Sequence, residues 1–526
     1  MPFGESTATS TSVPAPVGGW NARDSLAAMD PADAIVLDNL IPDTDKVVGR
    51  KGSTSYATPA SVTLDIDTLA TWRGPTSEIG WAFAIITGNK RAFDYTAGGS
   101  PAANAAFTAL AHTGTRADYV AEMFVNTSGA YLYLADALGE NAPAYYNGTT
   151  WTAPSITGVT AANLVFVASY RYRLFFIEKG TLNLWYLDRD AIQGTAKRLA
   201  LGGYASEGGY LVACGKWTVD AGDGVDDMFV AVTSQGQVFL FQGNDPSSAS
   251  AWRLAGTYKC APPIGRKCLL KFGSSLFIIT TDGAVAVESL FQQSLAQPAV
   301  PITDKIRAAF YASAKDWGTE PGWMALYYPK GRYILFNVPQ SSYSSTSTSK
   351  PMHQYVLNTQ TRQWCRFTGL SARSWTLLND DIYFGGTDGK VYKADTGYVD
   401  GSTPIAYQAK QAFNYFGARG QIKQWTMGRL TLLTDATTVT GAIYIDTDFG
   451  SQGLQASGAI TASVGAVWDT TDWDTAFWDQ DASILLEWQT YGGIGHCAAL
   501  CVNVNTNGAQ FAWYATDWVY RVGGMV

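Results

Sequence analysis

The chain has 526 residues, a net charge of −8 at pH 7 and only 15% charged residues, against about 25% in an ordinary globular protein. Specific nucleic-acid binders usually present a basic face and anionic membranes attract basic segments, so this acidic balance argues against both partners. The 53 glycines and 13% aromatic residues favour strands and tight turns over long surface helices.

The first part of the chain gives four local predictions. Residues 1–16 are mostly Ser, Thr, Ala and Pro, a composition typical of a disordered lead. No basic stretch followed by an apolar one is visible, and the longest apolar runs are short, such as Leu164–Ala168, so we expect neither a secretion signal nor a membrane span. Asp30-Pro31 resembles a helix start and predicts a short helix there. Residues 47–52 return to strand and turn.

From about residue 66 an apolar strand, a glycine turn and a second strand recur roughly every 50 residues. Propeller blades repeat at about 40–50 residues, and single hairpins bury too little to be stable alone. The pattern therefore predicts a β-propeller of six or seven blades over residues 66–400, with an irregular β-sandwich or barrel as the alternative. The turn glycines are Gly88, Gly148, Gly180, Gly236, Gly283, Gly331 and Gly389.

The pattern changes towards the end of the chain. The Ser/Thr-rich residues 341–350 predict a surface loop between two strands of one blade. After residue 400 the alternating stretches are longer, over Gln424–Leu433, Thr438–Asp446 and Phe511–Val522. They predict an antiparallel, sandwich-like platform over residues 401–526. The fold class expected is thus all-β.

No constellation of residues indicates catalysis. Activated nucleophiles usually need a histidine base, and the chain has only three histidines. His496, Cys497 and Cys501 form one cluster, but structural zinc usually needs four ligands in short pairs. We therefore predict no catalytic, cofactor-binding or metal-binding residue and no enzyme activity.

Several acidic turns have two interpretations. Asp220–Asp227 and Asp446–Asp448 resemble calcium loops, but no Glu stands at the twelfth place of the first and no helices are expected around it. Thr281-Asp282-Gly283 and Thr387-Asp388-Gly389 resemble sialidase-type turns without the following aromatic pattern. Solvated loops and ordinary tight turns are the favoured interpretations.

An acidic, tryptophan-rich segment predicts an exposed or interface surface. Five negative charges within residues 468–481 cannot all be buried without partners. The candidate interface or channel residues are Trp468, Asp469, Asp472, Trp473, Asp474, Trp478, Asp479 and Asp481, together with Trp20, Arg23 and Asp24 near the start.

The opening segments resemble the start of phage and prophage tail proteins. These segments are Pro14–Asp24, Ala28–Ala34, Leu37–Pro42 and Arg50–Gly52. The family they resemble is the tail nozzle, also called hub or tail accessory factor, of short-tailed bacteriophages. The likeness covers about forty residues, and over the remainder it is one of architecture.

The resemblance implies a structural subunit of the virion, assembled in the host cytoplasm and placed in the phage tail. The family implies a homohexameric ring below the portal and its head-to-tail adaptor, with docking surface for tail fibres or spikes. Genomic DNA would pass along the ring axis without specific binding, and not through each propeller's own hole. Family members are not enzymes, and no membrane insertion is implied.

We further expect residues 17–65 to form an arm that packs on the platform, because both segments flank the repeats. In this hypothesis residues 17–56 and the C-terminal domain build the ring-forming part, and the propeller lies outside it.

Two other functions remain open from the sequence. One is a glycan-binding or glycan-cleaving propeller of a receptor-binding tail protein, which would need a pocket lined by Trp and paired carboxylates. The other is a propeller scaffold from a cellular genome, against which the N-terminal resemblance argues.

Overall fold

The structure is a computed structural model. It describes residues 8–59, 64–74, 81–86, 90–220, 225–291, 299–343, 350–435, 438–451, 460–461, 483–485, 488–506 and 508–525.

The N-terminal arm consists of short strands. Five of its six strands join sheets of the platform, and the last joins a propeller sheet. The strands are β1 (Thr9–Pro14), β2 (Gly19–Trp20), β3 (Asp33–Asp38), β4 (Leu40–Pro42), β5 (Val47–Gly49) and β6 (Ser53–Ala57).

The first half of the propeller contains four antiparallel sheets. The first is β7 (Ile66–Trp72), β8 (Trp81–Ile86) and β9 (Arg91–Asp94), followed by helix α1 (Ala105–Ala109). The second is β10 (Tyr119–Asn126), β11 (Gly129–Asp136), β12 (Ala144–Tyr146) and β13 (Trp151–Thr152). The third is β15 (Leu164–Tyr170), β16 (Arg173–Glu178), β17 (Asn183–Tyr186) and β19 (Lys197–Ala200), with β14 (Ile156–Thr157) and β18 (Gly194–Thr195) as a separate parallel pair and a 3-10 turn at Ala161–Asn163. The fourth is β20 (Leu211–Asp220), β21 (Val225–Thr233), β22 (Gln237–Gly243) and β23 (Trp252–Lys259).

The second half contains three more sheets and the longest helix. The fifth sheet is β24 (Leu269–Phe272), β25 (Ser275–Thr280) and β26 (Gly283–Ala286), followed by α2 (Val287–Leu290), a 3-10 turn at Asp304–Ile306 and α3 (Arg307–Trp317). The sixth begins with β27 (Met324–Tyr328), β28 (Tyr333–Pro339), β29 (Met352–Asn358) and β30 (Trp364–Phe367). The seventh is β31 (Ala372–Leu378), β32 (Asp381–Gly386) and β33 (Val391–Ala394), completed by β6.

Strands within a blade differ in how much side chain they bury. The second or third strands, such as β22 and β28, are apolar and buried on both faces because neighbouring blades cover them. The outermost strand β23 instead alternates between buried or half-buried and exposed positions. This is the pattern of a sheet edge that faces solvent on one side.

The seven sheets of the described residues form a closed ring. Each presents one inner strand, and every inner strand contacts the inner strands on both sides of it. The predicted all-β propeller of six or seven blades is therefore confirmed. The inner strands are β7, β10, β15, β20, β24, β27 and β31.

The platform is a sandwich of two sheets. Two short strands before it, β34 (Val399–Asp400) and β35 (Thr403–Pro404), extend the seventh-blade sheet beside β6. The platform strands are β36 (Ala406–Gln411), β37 (Gln421–Thr434), β38 (Thr438–Thr447), β39 (Ile460–Thr461), β40 (Ser483–Leu485), β41 (Trp488–Gly495), β42 (Ala498–Asn505) and β43 (Ala512–Met525). One sheet is built on β37 and β43, which pair antiparallel, and the other on β36, β42 and β38. Stacked Tyr407 and Phe511 lie in the core between them, 5.2 Å apart. The long alternating strands predicted after residue 400 are confirmed.

Propeller and platform share one continuous sheet through the arm. Strand β3 pairs antiparallel with β36 of the platform and meets β30 of the sixth blade at a single parallel bridge, Asp38 to Arg366. A ten-stranded sheet results. The arm thus joins the two parts through main-chain hydrogen bonds.

Four expectations from the sequence need correction. Residues 9–14, predicted as part of a disordered lead, form β1, because the edge of β43 offers them a hydrogen-bonding partner. Residues 53–57, predicted to pack on the platform, form the outer strand of the seventh blade. The helix predicted after Asp30 is a single turn that leads into β3. Residues 287–290, which fall in the second strand expected after the Gly283 turn, form α2.

Gly88 lies outside the described residues. Among the turn glycines that the structure describes, two mark a different hairpin from the others. Gly180, Gly236, Gly283 and Gly389 lie between the second and third strands of their blades, whereas Gly148 lies between strands three and four. The turn at residue 331 joins strands one and two of its blade. The Ser/Thr-rich residues 341–350 stand between β28 and β29 of one blade, as predicted, and residues 344–349 of them lie outside the described residues.

Candidate functional site: the joint between propeller and platform

The N-terminal segments that resemble a phage tail family lie together where arm, sixth blade and platform meet. We call this region the joint; it comprises residues 17–52 and the side chains they contact. Its geometry follows from a few glycines, a buried tryptophan and two buried or half-buried charge networks.

Trp20 lies inside the subunit. Gly19 before it has φ +81°, and a Cβ there would lie 2.8 Å from the carbonyl oxygen of Trp364, so this turn requires glycine. The indole is 5% exposed and meets the ring of Tyr355 edge-on at 5.1 Å, with the Arg366 guanidinium 5.4 Å from its centre. The prediction that Trp20 contributes to an exposed interface is therefore wrong, because the indole fills a core position.

Asn21 organises the turn that follows. Its buried side chain donates to Asp33 Oδ2 at 2.7 Å and to Asp24 Oδ2 at 2.9 Å. Its carbonyl oxygen accepts from the backbone N–H groups of Arg23 and Asp24. The turn is thus fixed by one amide that satisfies four partners.

Lys305 connects this turn to the propeller. Its ammonium group donates to Asp33 Oδ1 at 2.7 Å, to the carbonyl oxygen of Gly18 at 2.5 Å and to Gln363 Oε1 at 2.9 Å. Lys305 precedes α3, and Gln363 precedes β30. One half-buried cation therefore holds arm, helix and blade together.

Arg23 and Asp24 lie at the surface of the joint. Arg23 contacts Asp24 at 2.8 Å and Asp304 at 2.7 Å. The hydrogen bond from Arg23 is the largest of the influences that lower the pKa of Asp24 to about 2, and both carboxylates raise the pKa of Arg23. About a third of each side chain is exposed, so both residues contact their own subunit and still face solvent.

Arg50 is the centre of a second network. Its side chain is 3% exposed and donates to both oxygens of Asp400, at 2.5 and 3.0 Å. It also donates to Asn39 Oδ1 at 2.7 Å and to the carbonyl oxygen of Thr368 at 3.0 Å. Gly52 follows, and a Cβ there would lie 1.9 Å from the carbonyl oxygen of Val399. The bidentate guanidinium thus ties the arm to the seventh-blade sheet, which Asp400 joins through β34.

Asp38 and Asn39 complete this network. Asp38 accepts two hydrogen bonds from the Arg366 guanidinium, each at 2.7 Å. Asn39 has φ +61°, a conformation that Asn tolerates better than most residues. Its amide donates to Thr368 Oγ1 and to the carbonyl oxygen of Ala406.

The remaining predicted site residues are not placed by the structure. The candidates between Trp468 and Asp481 lie outside the described residues, and so do residues 221–224 of the acidic turn 220–227. Sequence reasoning had selected Trp20, Arg23 and Asp24 from the joint but had missed Arg50, Lys305 and Asp400. The Arg50-Lys51-Gly52 segment was visible, but its partner Asp400 is 350 residues away.

The acidic residues Asp446 and Asp448 form hydrogen bonds or ion pairs with other groups of the same subunit. Asp446 accepts from Lys410 at 2.7 Å, and Asp448 Oδ1 accepts from the backbone N–H of His496 at 2.7 Å and of Cys497 at 3.2 Å. Among the residues that the structure describes, no group of three His, Cys, Asp or Glu side chains is arranged to hold a metal ion. The same part of the chain contains no helix long and apolar enough to cross a membrane.

Two cavities lie against the inner strands of the propeller. They have volumes of about 380 and 410 Å³ and share Arg266, Lys267 and Met324 as lining.

No family model and no curated protein matches the chain. Solved structures resemble it at low identity. A structure of YCF48 bound to a D1 peptide is 9% identical, with a TM-score of 0.39, over 69% of this chain and 98% of the other. A putative 6-phosphogluconolactonase from Bacteroides uniformis is 11% identical, with a TM-score of 0.34, over 65% and 91%. The Cps50 (Swd1) β-propeller domain of Myceliophteria thermophila is 10% identical, with a TM-score of 0.37, over 66% and 99%. At these levels the likenesses carry no argument about function.

Proposed function

We propose that the chain is a structural subunit of the tail nozzle of a short-tailed bacteriophage. Copies of it form a homohexameric ring below the portal and its head-to-tail adaptor, extend the DNA channel and offer docking surface to tail fibres or spikes. The subunit acts by shape and rigidity and catalyses no reaction.

The observation that carries the proposal is the position of the family-like segments. They coincide with the joint, where Trp20 and Lys305 fasten the arm to the sixth blade and strand β3 pairs with β36 of the platform. A conduit subunit under the force of moving DNA needs its two parts held as one body. Sequence segments that hold the two parts together would lie at the joint.

The charge balance supports a conduit that does not bind its cargo. A net charge of −8 disfavours tight binding of DNA, since the phosphate backbone is attracted to basic surfaces. This balance suits a passage that lets DNA slide.

The platform offers a surface for contact between subunits. On neighbouring strands β37 and β41, Met427, Trp488 and Ile494 are 37–56% exposed. Arg429 stacks on Trp488 at 4.8 Å and pairs with Asp517 at 2.6 Å. Interfaces are enriched in Trp, Met and Arg, so this face is where we expect the next copy in the ring.

The first test is the mass and symmetry of the purified chain. Light scattering and negative-stain imaging would be carried out with and without virion-derived portal–adaptor complex. We expect a six-fold ring, formed alone or on the adaptor. A monomer or trimer that ignores the adaptor would contradict the proposal, and a positive glycan array or depolymerase assay would then favour the receptor-binding alternative.

A variant pair tests the platform face. Ile494→Asp places a charge on that face and is expected to abolish the ring while the monomer stays folded. Val125→Asp is the matched control, because Val125 is 51% exposed and lies on the propeller. Rings that survive Ile494→Asp and break with Val125→Asp would move the subunit contact to the propeller.

A further inference from the structure

The centre of the propeller contains a cavity that the nozzle proposal does not use. It has a volume of about 380 Å³, within the roughly 300–1,000 Å³ range of small-molecule sites. All seven inner strands contribute to its lining, so it lies on the axis of the propeller. Sites of this kind are rigid because every wall belongs to a sheet.

The walls of the cavity are largely apolar. Phe166, Leu276 and Trp375 are buried side chains among its lining residues, and Leu269 and Met324 are half-buried. The Trp375 indole N–H is occupied, since it donates to Asn337 at 3.0 Å. These walls suit the hydrocarbon part of a ligand.

Cations outnumber carboxylates around the cavity. Lys216 and Lys271 are exposed lining residues, and among the described residues no carboxylate lies within 4.0 Å of either ammonium group. Arg266 also lines the cavity and donates to the backbone carbonyl oxygens of Ala137, Leu211 and Val212. Lys267 is the one lining cation with an ion pair, to Asp118 at 2.7 Å.

Glu122 is the single carboxylate in the lining. Its Oε1 accepts from the backbone N–H of Ser169 at 3.1 Å and from the Ser169 hydroxyl. Burial raises the pKa of Glu122, against the influence of the Ser169 hydrogen bonds and of Lys216.

We propose that this cavity binds a small organic anion, a carboxylate or phosphate group carried on an apolar body. The anionic group is held by Lys216 and Lys271, and the apolar body lies against Phe166, Leu276 and Trp375. The inference goes beyond the nozzle proposal and does not depend on it. The cavity lies within one subunit, so binding can be measured whether or not the subunits form a ring.

Calorimetric titration tests the proposal with octanoate and octyl phosphate as probes. Octan-1-ol and octylammonium are the comparison ligands with the same hydrocarbon and no negative charge. We expect saturable one-to-one binding of at least one anion and none of the comparison ligands. The preferred anion tells whether the natural ligand carries a carboxylate or a phosphate.

The double variant Lys216→Gln with Lys271→Gln is expected to weaken binding of the anion about tenfold, the effect of losing two charge contacts. Lys315→Gln, an exposed lysine on α3 outside the cavity lining, is the control and is expected to bind like the unchanged chain. The proposal is overturned if neither anion binds, if octan-1-ol binds equally well, or if the double variant and the control behave alike.

Discussion

Replacing Arg50 by methionine tests the joint most directly. The guanidinium is 3% exposed and donates to both oxygens of Asp400, itself 17% exposed, so R50M leaves that carboxylate largely out of water without its partner. Removing one partner of a buried pair costs about 3–5 kcal/mol. Because Ser53 still donates to Asp400 at 3.1 Å, we expect about 3 kcal/mol in the free energy of unfolding.

The assay is urea unfolding followed by tryptophan fluorescence and far-UV circular dichroism. The double variant R50M/D400L removes the carboxylate as well, and we expect it to recover about 1–2 kcal/mol of the loss. R50K keeps the charge but not the two-pronged geometry, so an intermediate loss is expected. A loss below about 1 kcal/mol for R50M would refute the view that this pair fastens the joint.

Three further predictions concern single positions. Gly52→Ala forces a methyl group against the Val399 carbonyl, 1.9 Å away, and should cost about 3 kcal/mol, measured as a lower urea midpoint. Trp20→Ala empties a core position and should cost about 3–5 kcal/mol, measured in the same way. Burial raises the folded-state pKa of Glu122, so stability from this group is present at acid pH and lost as the pH rises through the raised value. Glu122→Gln should remove that loss, which is about 1.4 kcal/mol in the free energy of unfolding for each unit by which the pKa of Glu122 is raised. The measurement compares unfolding curves at pH 4 and pH 8.

Each of these predictions has a control within the chain. Gly420 has open space around a built Cβ, so Gly420→Ala should leave stability unchanged. Trp81 is 38% exposed, so Trp81→Ala should cost much less than Trp20→Ala. Equal effects of variant and control would contradict the packing argument, and an unchanged pH profile in Glu122→Gln would contradict the raised pKa.

The burial of Trp20 shows how a sequence motif can be recognised and its role misjudged. Trp20 was predicted, together with Arg23 and Asp24, to be an interface or channel residue. The structure uses the indole within the subunit because Gly19 turns the chain against Trp364 and brings the ring beside Tyr355. Neither partner is visible from the local sequence.

The sequence alone determined the all-β class, the repeating hairpins and the longer strands of the platform. Alternation of apolar residues and glycine turns act between near neighbours, so strands such as β22 and β37 could be predicted from their own residues. Because the same local signals mark every hairpin, the sequence could not show that Gly148 lies between strands three and four of its blade and Gly180 between strands two and three.

Only the tertiary structure decided which strands pair across long distances. β6 completes the seventh blade with β33, more than 330 residues later, and Arg50 meets Asp400 at the same place. A free strand edge accepts any chain that reaches it with matching backbone groups. Pairing between the two ends of the chain therefore depends on which edges the folded blades leave open, and this is set by the assembly of the whole ring.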